Sequence, residues 1–207
     1  MSHQTVIVLD FGGQYNQLIA RRVREAGVYC EIMHYATPMD TWAGDDLRGI
    51  ILTGGPNSVY EEGAPRLGKE LFSLGVPVLG ICYGMQLINY ILGGTVEHAD
   101  AGEYGHTELT VRGGRLFAAV SPETVVFMNH TDRVAQMPEG FSCDASTGHC
   151  PVAAFSCPEK GIYGVQFHPE VRHTVEGTTI LRNFVLGVCG CKGDYRAEDM
   201  IEGMLRD

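Results

Sequence analysis

Val78-Leu79-Gly80-Ile81-Cys82-Tyr83-Gly84-Met85-Gln86-Leu87-Ile88 is the stretch that decides the fold. Its first four residues form a short apolar run, punctuated just upstream by Gly75 and Pro77, which predicts a buried strand. Residues 85–92 carry an apolar helical pattern that Gly93-Gly94 stops. A strand that runs straight into a helix needs a sharp turn. Gly-x-Cys-x-Gly permits one, because the flanking glycines relieve crowding where the two backbones close in. Cys82 then stands at a helix N-terminus, where unpaired N–H groups and the helix dipole favour a thiolate. A cysteine after a buried strand is ordinarily a core residue. Two flanking glycines and a following helix favour a nucleophile instead.

Upstream, strand and helix patterns alternate. Residues 6–9 predict a strand ending in Asp10, Gly12 and Gly13, and residues 14–26 a helix with Leu18, Ile19 and Val23 at helical spacing, closed by Gly27. Strands are expected at 28–33 and 49–53, the second running into Gly54-Gly55-Pro56, with a helix at 65–74. Downstream, alternating segments near 107–111, 124–127, 152–155 and 162–166 predict antiparallel strands, and residues 174–188 carry a helical stripe of Val175, Ile180, Leu181, Phe184 and Val185. The expected fold is α/β: an open, mostly parallel sheet with helices on both faces plus added antiparallel strands. At 207 residues and 44% hydrophobic content the chain supports one large domain, expected over 1–193. Residues 194–207 are expected as a C-terminal helical segment with Met200, Ile201, Met204 and Leu205 on a face that needs a partner.

Composition removes several classes of function. A formal net charge of −10, from 15 Lys and Arg against 25 Asp and Glu, leaves little basic surface for nucleic acid. No apolar run approaches the roughly 20 residues of a membrane span, so a membrane role is not expected. Seven cysteines are an odd number with no signal peptide ahead of them, which predicts free thiols in a reducing, cytoplasmic compartment. There is no Cys-x-x-Cys and no His-Glu-x-x-His, only Cys189-Gly190-Cys191, so no metal is expected.

A thiolate that attacks an acyl carbon needs a proton carrier. Of the eight histidines, His168 is best placed, just beyond the strand 162–166 in Phe167-His168-Pro169-Glu170. Pro169 pushes the residue before it toward an extended backbone, where residues two apart share a side, so Glu170 is expected to reach the imidazole and steady its charged form. In α/β-hydrolases the acid lies well upstream of the histidine; here it follows by two, which argues against an esterase. The Tyr83 N–H, next after the nucleophile, is the first candidate oxyanion donor. Gly55 is the second, because its turn lies at the C-terminal edge of the neighbouring strand, where open α/β sheets bind ligands.

These residues resemble the class I glutamine amidotransferases over nearly the whole chain. The resemblance is carried by Gly80-Ile81-Cys82-Tyr83-Gly84-Met85-Gln86 and Gly164-Val165-Gln166-Phe167-His168-Pro169-Glu170-Val171. Val8-Leu9-Asp10-Phe11-Gly12-Gly13-Gln14-Tyr15 and Leu52-Thr53-Gly54-Gly55-Pro56-Asn57-Ser58-Val59 are similar to its GMP synthetase branch. The resemblance implies a flavodoxin-like core and hydrolysis of L-glutamine: Cys82 attacks the side-chain amide, His168 protonates departing ammonia, and water releases glutamate from a γ-glutamyl thioester. It implies that Gln86 holds the substrate and that Asn129, Thr131 and Asp132, in Phe127-Met128-Asn129-His130-Thr131-Asp132, bind the ends of glutamine. The branch usually has Ser or Thr where Asn129 stands and Gly where Thr131 stands.

No cofactor is implied for glutamine hydrolysis. In the branch, ATP and Mg belong to an ATP pyrophosphatase (synthetase) domain that uses the ammonia to aminate XMP to GMP. Neither its Ser-Gly-Gly-Val-Asp-Ser loop nor a Gly-x-x-x-x-Gly-Lys-Ser/Thr loop occurs here, so such a domain or subunit is the expected partner. Cys191-Lys192-Gly193-Asp194-Tyr195 resembles the stretch leading into it. Three rivals make different demands. A γ-glutamyl peptide hydrolase would use the same triad with a wider mouth, a cysteine redox sensor would not need His168 and Glu170, and a non-catalytic subunit predicts a lost triad member.

Overall fold

The computed structural model describes residues 3–196 and 198. The expected apolar face at Met200, Ile201, Met204 and Leu205 lies outside the described residues. In chain order the strands are Thr5–Asp10 (β1), Tyr29–His34 (β2), Leu47–Leu52 (β3), Val78–Ile81 (β4), Thr95–Val111 (β5), Glu123–Gln136 (β6), Ser142–Ser146 (β7), Ala154–Cys157 (β8) and Ile162–Val165 (β9). The α-helices are Asn16–Glu25 (α1), Tyr83–Ile91 (α2) and Gly177–Arg182 (α3).

One sheet of nine strands runs in the order β2-β1-β3-β4-β9-β8-β7-β5-β6. Strands β2, β1, β3, β4 and β9 pair in parallel, which is the flavodoxin-type order with β9 in the fifth place. The other four pair antiparallel, so the sheet is mixed. Side chains alternate across the parallel half as period-2 geometry requires. Val6 and Val8 join Ile19 and Val23 of α1 and Ile180 and Leu181 of α3 in one core. Ile7 and Leu9 join Met85, Leu87 and Ile88 of α2 in the other. Helices therefore cover both faces. Among the described residues no helix is long and apolar enough to cross a membrane.

Several elements differ from expectation. The helix at 65–74 is only a 3₁₀ segment, Lys69–Leu74, because Gly68 is still extended (φ −84°, ψ 169°) and Gly75 turns left-handed at φ 73°. Six residues between those stops are too few for a stable α-helix. The helix at 174–188 starts at Gly177 and continues beyond Arg182 as a π-helical stretch, Asn183–Val188. The strand at 107–111 is the end of the 17-residue β5, and the one at 124–127 the start of the 14-residue β6. Residues 95–106 are mostly polar and carry no apolar alternation. Pairing with β6, through an irregularity between His98 and Glu103, extends them. Strand β7 was not anticipated for the same reason.

What matters for chemistry is where the parallel strands stop. Leu9 pairs with Leu52, Leu52 with Gly80, and Ile81 with Val165, so the segments leaving β1, β3, β4 and β9 emerge side by side. A Cβ on Gly84 would lie 2.4 Å from the Leu52 carbonyl oxygen, and one on Gly80 2.5 Å from the Gly84 carbonyl. Any side chain at either position would force α2 away from the strand ends. The two glycines thus fix how close the helix start comes to the sheet.

Candidate active site

Cys82 is one of two non-glycine residues with positive φ among those described, at φ 53° and ψ −109°. Such backbone costs of order 1–3 kcal/mol and persists only where the surroundings over-determine it. Here they do. The Cys82 N–H donates to the Val165 carbonyl at 2.8 Å, the Gly84 N–H to Thr53 at 3.1 Å, and the Gln86 N–H to Cys82 at 3.2 Å. Neighbouring strands on both sides hold the turn, and α2 begins at the next residue. Sγ has the Gln166 side-chain amide at 3.6 Å and the Asn129 carbonyl at 4.0 Å.

His168 and Glu170 follow β9, the parallel neighbour of the cysteine's own strand. The His168 N–H donates to Phe127 at 3.1 Å and its carbonyl accepts from the Thr174 hydroxyl at 2.6 Å, which fixes the backbone beneath the ring. Nδ1 lies 2.8 Å from Glu170 Oε1, in a pair where the histidine is 6% and the glutamate 1% exposed. The two side chains meet across a turn at 169–170, not along an extended run, because the chain must reverse toward α3. The Arg22 guanidinium anchors that turn through the Glu170 carbonyl at 3.2 Å. Glu170 Oε2 is buried with no hydrogen-bond partner among the described residues. Burial by itself would depress the imidazole. Hydrogen bonds to Cys82 and Glu170 and the charge of both outweigh it, and the His168 pKa is raised to about 10.

Cys82, His168 and Glu170 line a cavity of about 470 Å³ together with Gly55, Tyr83, Gln86, Asn129, Thr131 and Asp132, every residue expected from the sequence. The Gly55 and Tyr83 N–H groups have no hydrogen-bond partner among the described residues. Thr131 lies outside the left-handed region, so its Cβ is accommodated without backbone strain, and its hydroxyl meets that of Tyr104. Gln86 is more committed than the sequence suggested, since its side-chain N–H₂ donates to the Asp132 carbonyl at 2.8 Å and to Gln166 at 3.0 Å. The Asp132 carboxylate accepts from Ser58, from Tyr60 at 2.9 Å and from His98 at 3.0 Å, which ties the loop carrying Gly55 to β6.

Ser58, His98, Tyr104 and His130 also line the cavity and were not anticipated. His98 and Tyr104 sit on the polar part of β5, where nothing local marks a strand. His130 lies within the stretch 127–132, but nothing near it in sequence points to its partner Glu103. Among the described residues, the one grouping with potential metal-ligand geometry is Glu103, His130 and Cys150. Burial pushes the Cys150 thiol up to about 12, which opposes the thiolate that a metal would need.

Comparison with known proteins bears on what this arrangement does. The family model for glutamine amidotransferase class-I matches residues 7–188. A protein of Lachnospira eligens named GMP synthase [glutamine-hydrolyzing] is 55% identical over 100% of this chain and 40% of its own length. Its namesake from Caldicellulosiruptor saccharolyticus is 54% identical over 100% of this chain and 41% of its own. The chain therefore spans about 40% of the length of these relatives. Among solved structures, a candidate GMP synthase subunit from Thermoplasma acidophilum superposes with a TM-score of 0.83 at 33% identity, covering 98% of this chain and 99% of that one.

Proposed function

We propose, for a chain that belongs to the class I glutamine amidotransferases, that it hydrolyses L-glutamine to glutamate and ammonia through a thioester on Cys82. The observation that carries this reading is the strained turn aiming Cys82 into a cavity beside a buried His168–Glu170 pair. The Cys82 thiolate attacks the side-chain amide carbon, and the oxyanion that forms is received by the free N–H groups of Tyr83 and Gly55. His168 gives its proton to the leaving nitrogen, so ammonia rather than amide anion departs. Water then attacks the γ-glutamyl thioester, His168 takes its proton, and thiolate leaves with glutamate. Glu170 orients the ring throughout. Gln86, Asn129, Thr131 and Asp132 form the wall that receives the two ends of glutamine. No cofactor takes part.

A glutamine-like diazo-ketone tests the assignment directly. All seven cysteines are free thiols, but burial raises the thiol pKa of Cys30 to about 11 and that of Cys150 to about 12, and raises those of Cys143, Cys189 and Cys191 as well. Peptide mass mapping is expected to find the label on Cys82 first, with loss of ammonia release in proportion. Activity that survives full labelling of Cys82 would reject the reading.

The ammonia feeds an ATP-dependent amination of XMP to GMP on a synthetase domain or subunit, which carries the ATP and Mg. Supporting this, the relatives are named GMP synthase [glutamine-hydrolyzing] and are more than twice as long. Residues 1–193 are the amidotransferase unit in this reading. An unpartnered glutaminase would release ammonia to solvent, so the chain alone is expected to be slow. One misaligned oxyanion donor costs roughly 10²–10³ in rate. Adding a separately made synthetase domain with ATP and XMP should raise kcat for glutamine on that scale, and full activity of the chain alone would exclude the gating.

A further inference from the structure

Beneath the Asn129–Asp132 wall lies a buried pair that the chemistry above does not use. His130 Nδ1 is 2.8 Å from the Asp132 carbonyl, and Nε2 is 2.9 Å from Glu103 Oε2. The two residues are 7% and 5% exposed and 27 positions apart. A carbonyl oxygen only accepts, so Nδ1 carries a proton. Glu103 Oε1 is engaged by the Thr147 hydroxyl, which itself accepts the Cys150 N–H at 2.9 Å and so directs its own proton to the carboxylate. One proton remains to be placed, between Nε2 and Oε2, and imidazole is the stronger base by about two pKa units in water. Burial works to raise the Glu103 carboxyl, but hydrogen bonds from His130 and Thr147 outweigh it and hold it below its ordinary value.

We infer that Glu103 and His130 form a buried carboxylate–imidazolium pair that positions the substrate wall at Asn129–Asp132. The inference rests on the glutamine-hydrolysing reading for the word substrate, though not for the pair itself. The Asp132 carbonyl takes one hydrogen bond from His130 and a second from Gln86, one helical turn beyond the nucleophile. The wall is thus pinned to α2 on one side and, through Glu103 and Thr147, to β5 and the β7–β8 connection on the other. The irregularity between His98 and Glu103 is where β5 brings the carboxylate under the wall. With both imidazole nitrogens protonated, no lone pair is left for a metal, so the hydrogen bonds commit this grouping to an ion pair. His130 and Glu103 are positioning residues; neither touches the reacting atoms.

Two substitutions separate position from charge. In Glu103→Gln the new amide can donate to Nε2 while its oxygen still accepts from Thr147, so a neutral ring keeps its bond to Asp132. In Glu103→Ala that support is gone. Glutamine kinetics on the 207-residue chain are expected to show KM raised roughly tenfold or more in Glu103→Ala, the scale of a lost charged hydrogen bond, with kcat changed less than about threefold. KM in Glu103→Gln should stay within about threefold of the unmodified chain. Equal KM increases in the two variants, no increase in either, or a loss confined to kcat would overturn the positioning role. Nitrogen-15 spectra of the unmodified chain, with His130 assigned by its disappearance in His130→Gln, should show both ring nitrogens protonated at neutral pH. A ring nitrogen without a proton, whether in a neutral tautomer or bound to added zinc, would overturn the ion pair. That readout holds even if the chain fails to hydrolyse glutamine, a failure that would count against the proposed function instead.

Discussion

Replacing Cys82 by alanine is expected to lower ammonia release from glutamine by about 10⁴-fold or more, with the fold intact. No other group can stand in for the sulfur. The remaining donors still bind the amide, but without the thiolate there is no covalent intermediate and water must attack an unactivated amide. Cys82→Ser should be nearly as inactive, since a hydroxyl at this position would have to surrender a far less acidic proton. The fold should survive because the side chain is small and its turn is held by backbone hydrogen bonds, from Cys82 to Val165 and from Gly84 to Thr53, that either substitute keeps. The neighbouring strands impose its positive φ, and either substitute must adopt it at the same cost. Ammonia release measured beside the denaturation midpoint is the check. Substantial turnover in either variant would remove the nucleophile assignment, and a collapse of the midpoint would mean that the loss is structural.

The second large effect concerns the proton carrier. His168→Ala is expected to cost about 10²–10⁴ in kcat, because ammonia must then leave without an acid. Glu170→Gln should cost less, since it weakens the ring's support without removing it. The raised pKa gives this a pH signature. Burial alone would favour the neutral ring, and it is the partners Cys82 and Glu170 that keep the proton on, to about 10. The pairing therefore contributes stability in full below the ordinary histidine value near 6.5, and loses it as pH rises through the folded value. An alkaline limb of kcat/KM lying well above 6.5 is expected for the unmodified chain. Glu170→Gln should move that limb downward, because one of the groups that raise the pKa is gone. Equal small losses in both variants, with an unshifted limb, would mean that the triad is misassigned.

The parts of the site that could be read from the sequence are those whose cause is local. Gly80, Cys82 and Gly84 stand within five residues, and the close approaches that demand glycine there run to backbone atoms of the same turn and of the adjacent strand. His168 and Glu170 are likewise neighbours in sequence, although a turn rather than an extended run brings them together. Most of the parallel half of the sheet announces itself because both of its faces are covered, leaving unbroken apolar runs such as 6–9 and 78–81; β9, expected at 162–166 as an antiparallel strand, instead pairs in parallel with β4, a neighbour far away in sequence. Strands β5 and β6 are different: much of their length faces solvent, so pairing holds them where apolar patterning does not. The ties from Ser58, Tyr60 and His98 to Asp132 span 74, 72 and 34 positions. The resemblance marks Asp132, but nothing in the sequence marks Tyr60 or His98 as its partners, and only the folded chain shows that they converge.

The Cys82 N–H bond to Val165 also sets a timetable for making the protein. Strand β4 leaves the ribosome long before β9, and the whole antiparallel arm from β5 to β8 lies between them in the chain. Until β9 slides in beside β4, the cysteine has neither the neighbour that forces its backbone into an unfavourable shape nor the imidazole that shares its proton. A half-made chain therefore lacks the geometry that brings Cys82 and His168 together. The site proposed for Cys82 is completed by the last parallel pairing of the sheet, after every cysteine up to Cys157 has been synthesised.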